Sequence, residues 1–397
     1  MAAGQHGNDP EPNAGPLIFL IAGEPSGDVL GGRLMAALRR RTGGRIRFAG
    51  VGGEAMAAEG LASLFPITDL AVFGLLEVVP RIPRLYGRIR QTAAMVRDLA
   101  PDAVITIDSP DFSARIWPRI KGHGIPLIHY VAPTVWAWRP ARAHHLARAL
   151  DHLMVLLPFE PPFFERAGLD CSFVGHAVLE SGAAHGDGAA FRARHGIAPD
   201  APLVCVLPGS RRGEVHQLLP PFRTALASLG ERFAGLVATV PAASAVAGEI
   251  EAAAAAWPVP THVVHAEAEK FDAMAASQVA LAASGTVALE LALAGVPMVI
   301  AYRLNPLSWA VVSRLVRVDH INMINLLLDR PVVSELLQGA CRGAALAGEV
   351  ARLLEDEALC DAQRTAAAEA LAMLAPGQAS PSERAADTVL ELIGQGD

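Results

Sequence analysis

Short runs of aliphatic and β-branched residues alternate with helical patterns along almost the whole chain, and this alternation constrains the fold more than any other feature. "LIFLIA" precedes "VLGGRLMAALRRR", and "IRFAGV", "AVITID", "LIHYV", "HLMVLL", "LVCVL", "LVATV", "THVVH", "VALAA" and "PMVIAY" follow in turn. Strands separated by helices at this spacing form parallel sheets with helices on both faces, an α/β architecture. At 397 residues the chain exceeds one ordinary core, so two domains are expected.

The first sixteen residues read as a polar tail, residues 17–185 as the first domain, 186–375 as the second and 376–397 as a C-terminal helix free to pack back on the first. "ESGAAHGDGAA", residues 180–190, has no apolar period and three glycines, which marks an interdomain linker. "PSERAADTVLELIG" places Ala385, Val389 and Leu392 along one side of that last helix.

Composition excludes several classes. A net charge of −7 leaves no basic footprint for nucleic acid. Cys171, Cys205, Cys341 and Cys360 form no C-x-x-C pair, so neither a zinc site nor a disulfide framework is indicated, and reduced thiols in the cytoplasm are expected. "VALAASGTVALELALAGVPMVIAY", residues 279–302, is long enough to span a bilayer. Ser284, Gly285, Thr286 and Glu290 interrupt it, and it reads as strand, turn, buried helix and strand.

In open α/β sheets ligands bind beyond the carboxyl ends of strands, so the chemistry is sought there. After "LVCVL" comes "PGSRRGEV", where Gly209 and Ser210 offer backbone N–H groups at a helix start and Arg211 or Arg212 a clamp for phosphate. After "VALAA" comes "SGTVALE", where Ser284, Gly285 and Thr286 suit a diphosphate and Glu290, one turn on, reaches toward ribose hydroxyls. Solvated arginines and a structural glutamate are the plainer alternatives. No G-x-x-x-x-G-K-[ST] occurs, which disfavours ATPase and kinase chemistry.

In the first domain "IAGEPSGDVLGGRL" supplies Glu24, Ser26 and Asp28, the last a plausible helix cap. In "ITIDSPDF", Asp108 ends an apolar strand, placed either as a general base or as a holder of the turn, and Asp111 follows a Ser-Pro turn.

Taken together, "AGEPSGD", "TIDSPDF", "HYVAPTVWAWRPAR", "LPFE", "FVGH", "LPGSRRGEV", "ASGTVALE" and "MVIAYR" occur in the order found in the lipid-A-disaccharide synthases, and the chain resembles that family over about residues 17–330. The resemblance implies a GT-B fold, with two Rossmann-like domains facing a cleft and UDP held by the second. It implies an inverting transfer from UDP-2,3-diacylglucosamine to the 6-hydroxyl of 2,3-diacylglucosamine 1-phosphate, giving a β-1′,6-linked disaccharide and UDP. UDP-sugar is then a substrate, and no cofactor or metal is expected. The family's base falls on Asp108, its phosphate-stabilising arginine on Arg211, and a family asparagine on Asn325 in "HINMINLLL".

Substrates with acyl chains require contact with a membrane, expected at the cytoplasmic leaflet of the inner membrane. Residues 71–91 mix Val72, Phe73, Leu75 and Leu76 with Arg81 and Arg84, a pattern suited to an interfacial segment and equally to a core-facing helix with a basic side. In "VWAWRPAR", Trp136, Trp138 and Arg139 either wall the acceptor side or brace the loop. A homodimer is compatible with the sequence. Two other readings stay open at this stage: a UDP-sugar epimerase or soluble-acceptor glycosyltransferase on the same fold, and a non-catalytic UDP-sugar-binding protein.

Overall fold

The computed structural model describes residues 15–70, 75–138, 140–316 and 318–394. The chain divides into two compact units: one runs to Ala177 and regains the segment from Pro376, and the other spans Val178–Ala375.

The first unit holds a six-stranded sheet, β1 (Leu17–Ala22), β2 (Arg47–Val51), β3 (Ala103–Ile107), β4 (Leu127–Tyr130), β5 (His152–Val155) and β6 (Cys171–Phe173). Its order is β2-β1-β3-β4-β5-β6, and every pairing is parallel. Burial on both faces follows from the strand period of two. Ile18, Leu20 and Ala22 enter one apolar cluster with Leu34 and Leu38 of the helix Pro25–Arg41. Phe19 and Ile21 enter another with Ile116 and Trp117 of the helix Pro110–Ile120. The helix Pro381–Leu392 packs against Pro25–Arg41 in this unit, begun by a capping box of Ser380 and Glu383. Its buried side carries Ala385, Ala386, Val389 and Leu390; Leu392, expected on that side, is exposed.

The second unit repeats the plan with β7 (Leu203–Leu207), β8 (Val237–Pro241), β9 (Thr261–Val264), β10 (Val279–Ala283), β11 (Met298–Tyr302) and β12 (Ser334–Leu337). Its order is β12-β11-β10-β7-β8-β9, again all parallel. The apolar stretch 279–302 is β10, a turn, the buried helix Val287–Leu293 and β11. No helix among the described residues is long and apolar enough to cross a membrane.

One boundary differs from expectation. Residues 180–190 are not a free linker, because Gly186 and Gly188 lie against the helix Glu267–Ala276 so closely that a Cβ would stand 2.2 Å from the Phe271 carbonyl oxygen and 2.5 Å from that of Ala275. Glycine is there to permit contact with the second unit, and the division falls at Ala177/Val178 instead of 185/186.

Strand order fixes where ligands go. In the first sheet the direction of winding reverses between β1 and β3, in the second between β7 and β10. At such switch points the flanking loops diverge and leave a crevice. The loops that emerge there are "GEPSGD" and "DSPDF" in one unit, and "PGSRRGEV" and "SGTVALE" in the other.

Candidate active site

In the first unit, β1 and β3 end side by side, with Ala22 opposite Ile107. Asp108 follows with φ 53° and Ser109 with φ 44°, two consecutive non-glycine residues in the left-handed region. That conformation costs energy and persists where surroundings enforce it. Here the Asp108 N–H donates to the Tyr130 carbonyl at 2.9 Å, the Ser109 N–H donates to Asp108 Oδ1 at 2.8 Å, and Ser26 Oγ donates to Asp108 Oδ2 at 2.9 Å. Gly27 permits the approach, since a Cβ there would lie 3.0 Å from the Ile107 carbonyl oxygen. The carboxylate is thus half-buried and aimed by two donors from two switch-point loops.

Its neighbour Asp28 has a different task. Its oxygens accept from the backbone N–H groups of Gly53 at 2.7 Å, Ala55 at 2.9 Å and Met56 at 3.1 Å, capping the helix Glu54–Ala58. Asp28, expected on the acceptor side, accepts three backbone N–H groups and acts as a structural cap. Glu24 occupies the N-cap position of Pro25–Arg41, and Ser26 is exposed.

Strand β4 leads to Val131, a β-branched residue held at φ 81°. Beyond it Trp136 donates its indole N–H to Glu160 Oε1 at 3.1 Å and meets Phe159 edge-on at 5.1 Å. Glu160 also accepts the Leu156 and Leu157 N–H groups at 3.2 and 3.0 Å. Burial pushes its pKa up to about 7, although all three donors pull it down. This tryptophan therefore braces the loop after β4 onto the one after β5. Val72, Phe73 and Arg139, and the side chains of Leu75, Leu76, Arg81, Asp111 and Trp138, lie outside what the structure describes. Arg84 is largely exposed and pairs with Asp69 at 3.0 Å, which Arg88 also grips at 2.7 Å.

In the second unit the switch point opens into a pocket of about 410 Å³. Gly209, Ser210 and Arg211 line it from the loop after β7; Ser284, Gly285, Thr286 and Glu290 line it from the loop and helix after β10. Gly209 has φ 107°, and a Cβ there would stand 2.8 Å from Glu214 Oε2, so the turn requires glycine. Arg211 lines the pocket with its side chain 76% exposed and touches Glu214 at 3.1 Å. So exposed a pair is worth about 1 kcal/mol at most, and it leaves the guanidinium available to the pocket. Arg212 instead pairs with Glu249 at 3.0 Å, which His216 also contacts at 3.3 Å. Of the two arginines, Arg211 lines the pocket and Arg212 does not.

Sequence reasoning missed Lys270, which reaches the same pocket from the helix Glu267–Ala276 and pairs with both oxygens of Glu290, at 2.9 and 2.8 Å. Its only local signal is a lysine soon after a strand end. Glu214 and His265 line the pocket as well.

Asn325 does not join them. It is fully buried; Oδ1 accepts from Val332 N–H at 2.9 Å and Val333 N–H at 2.8 Å, while Nδ2 donates to the Val333 carbonyl at 2.8 Å and Glu335 Oε1 at 2.7 Å. All its usual hydrogen-bonding capacity is used within the second unit, an arrangement that braces the segment 332–335. Glu335 also holds Ile321 N–H and Asn322 N–H, and the Ile321 carbonyl accepts from Ser284 Oγ at 2.9 Å. Asn325 thereby supports the segment on which the Ser284 turn rests. Among the described residues no cluster of three His, Cys, Asp or Glu side chains is arranged for a metal.

Two Rossmann-like units, with a polar pocket at the switch point of the second, have the GT-B architecture. The same fold occurs in UDP-GlcNAc 2-epimerase from Neisseria meningitidis bound to UDP-GlcNAc (TM-score 0.66, 12% identity, 96% of this chain and 100% of that one) and in MurG from Acinetobacter baumannii (TM-score 0.56, 13% identity, 95% and 99%). The profile of the family described as Lipid-A-disaccharide synthetase matches residues 18–389, and the chain belongs to that family. It is 56% identical to the lipid-A-disaccharide synthase of Rhodospirillum centenum over 95% of this chain and 94% of that protein, and 52% identical to that of Paramagnetospirillum magneticum over 96% and 98%.

Proposed function

We propose that this chain transfers 2,3-diacylglucosamine from its UDP derivative to the 6-hydroxyl of 2,3-diacylglucosamine 1-phosphate, forming the β-1′,6-linked disaccharide 1-phosphate and UDP. The family match over residues 18–389 carries this reading. The 12–13% likeness to epimerases and to MurG is one of architecture alone and does not favour the epimerase alternative.

Inversion needs a base, an in-line approach and a stabilised leaving group. Asp108 takes the proton of the acceptor hydroxyl, with Ser26 and the Ser109 N–H fixing its carboxylate. As the new C–O bond forms at the anomeric carbon, the bond to the diphosphate breaks and UDP leaves with its electron pair. Arg211 and the turns at Gly209–Ser210 and Ser284–Thr286 meet the charge that develops on the diphosphate, and Glu290 accepts from the ribose. No metal or other cofactor takes part in this reading.

The acyl chains place the enzyme at the cytoplasmic leaflet of the inner membrane as a peripheral protein. The exposed Arg84 and Tyr86 support this part. Co-sedimentation with anionic liposomes tests it, and failure to sediment at any salt concentration counts against it.

The deciding experiment incubates detergent-purified protein with both lipid substrates and a metal chelator, with products read by mass spectrometry. Disaccharide with stoichiometric UDP is expected. UDP without disaccharide removes the lipid acceptor, and activity abolished by the chelator and restored by a divalent ion removes metal independence.

A further inference from the structure

Beneath the switch-point turn of the first unit lies a buried polar contact that the reaction scheme leaves without a task. Thr106 and His129 face each other across β3 and β4, both fully buried. Two residues further on, each strand leaves the sheet through a non-glycine residue in the left-handed region, Asp108 at φ 53° and Val131 at φ 81°. Such conformations persist only where the surroundings over-determine them, so a rung this near both exits bears on how firmly the Asp108 turn is held.

That rung is tied through one hydroxyl. Thr106 Oγ1 lies 2.8 Å from His129 Nδ1, accepts the Trp117 indole N–H at 3.1 Å and stands 3.3 Å from the Ile128 carbonyl oxygen. A hydroxyl has one proton to give and two lone pairs. Giving the proton to the carbonyl, which can only accept, leaves the lone pairs for the Trp117 N–H and for Nδ1–H of His129, and the capacity of the hydroxyl is filled. His129 Nε2 is then the bare nitrogen of a neutral ring; it is buried without a partner, and burial lowers the ring's pKa to about 3. All of the ring's hydrogen bonding goes to Thr106, and the Trp117 ring, edge-on at 5.1 Å, limits its tilt.

The three side chains belong to the three elements that frame the turn. Thr106 is on β3, and His129 is on β4 next to Tyr130, whose carbonyl accepts the Asp108 N–H at 2.9 Å. Trp117 is on the helix Pro110–Ile120, which starts directly after Ser109. We propose that Thr106 is a positioning residue for the transfer: its hydroxyl locks β3, β4 and that helix together and so holds the strained Asp108–Ser109 turn with the carboxylate aimed at the acceptor. This role rests on the reading of Asp108 as the base and adds what aims it. Without the hydroxyl the turn relaxes, and a reacting group displaced by about 1 Å loses about a hundredfold in rate.

Steady-state kinetics of the full-length protein with both lipid substrates tests this in T106V, T106S, W117F, D108N and T106V/D108N, with thermal unfolding to verify the fold. T106V keeps the shape of the side chain without its hydroxyl, and kcat should fall by about tenfold to a hundredfold while both KM values stay within about twofold. T106S, which keeps the hydroxyl, should come within about threefold of wild type, and W117F, which removes one donor, should lose about threefold. In the D108N background T106V should cost less than about twofold, because the group it aims is already gone. An unchanged kcat in folded T106V, or in W117F where T106V does not fold, overturns the proposal, and so does an equal loss in the wild-type and D108N backgrounds. If D108N itself keeps wild-type turnover, the base reading of Asp108 fails, and its failure is thereby told apart from a failure of Thr106 alone.

Discussion

Ser26 and Asp108 are 82 positions apart in the chain, yet Ser26 Oγ stands 2.9 Å from Asp108 Oδ2. The contact exists because β1 and β3 are adjacent in the sheet although β2 lies between them in sequence. Two loops that diverge at a switch point thus converge on one carboxylate.

Replacing Asp108 with Asn should retain UDP binding and lower turnover by about two orders of magnitude or more, the common reach of general-base catalysis. Ser26→Ala should lower kcat by about tenfold at most, because the Ser109 N–H still holds the other oxygen. Steady-state kinetics beside UDP titration separates these effects. Loss of UDP binding or of folding in D108N would make Asp108 structural.

The two adjacent arginines should behave differently. Arg211→Ala should reduce use of the donor by about a hundredfold with the fold kept, whereas Arg212→Ala, which breaks a surface pair with Glu249, should change kcat/KM by no more than about threefold. Equal losses in both variants would show that the diphosphate is met by the loop's charge as a whole.

Asn325→Ala should act on stability. It strands two backbone N–H groups and one carbonyl of the segment 332–333, each at about 1–3 kcal/mol when left unsatisfied inside a protein. A clear drop in thermal midpoint is expected, with near-normal UDP affinity in protein that remains folded. An unchanged midpoint with lost turnover would restore the catalytic role.

Stability should depend on pH through the core of the first unit. Burial lowers His129 to about 3 and His176 to about 4, so the unfolded chain takes up protons below its usual histidine pKa of about 6.5 that the native state refuses. Their contribution is complete above that value and is lost as the pH falls. Glu160, raised to about 7, works oppositely: its native form keeps a proton that the unfolded chain releases, so its contribution is full at acid pH and is lost as the pH rises to about 7. Between about pH 4.5 and 6.5 the glutamate offsets part of the histidine effect. Glu160→Gln should make the fall of thermal midpoint from pH 6.5 to 5 steeper than in wild type. An unaltered slope would mean that native Glu160 is already ionised there.

The loops that matter were legible because chemistry follows strand ends. "PGSRRGEV" and "SGTVALE" line one pocket as the pattern of strand, glycine turn and helix suggests. Trp136 was legible as unusual but not in its partner, since nothing local ties it to Glu160, 24 residues later. Asn325 shows the limit of motif transfer: a family position marks where a residue stands and says nothing of how many bonds already occupy it. Lys270 shows the converse, a pocket residue with no motif of its own.

The sequence by itself determined the α/β class, the parallel sheets, the family and the strand ends at which polar residues gather, because period, glycine placement and motif order are properties of short stretches. Tertiary structure alone decided which strand ends become neighbours, that Arg211 and not Arg212 lines the pocket, that Asp28 caps a backbone turn while Asn325 holds both backbone and Glu335, and that Lys270 meets Glu290. Those outcomes depend on crossover connections between distant strands and on the competition of buried polar atoms for partners, and neither is written in any local stretch of the chain.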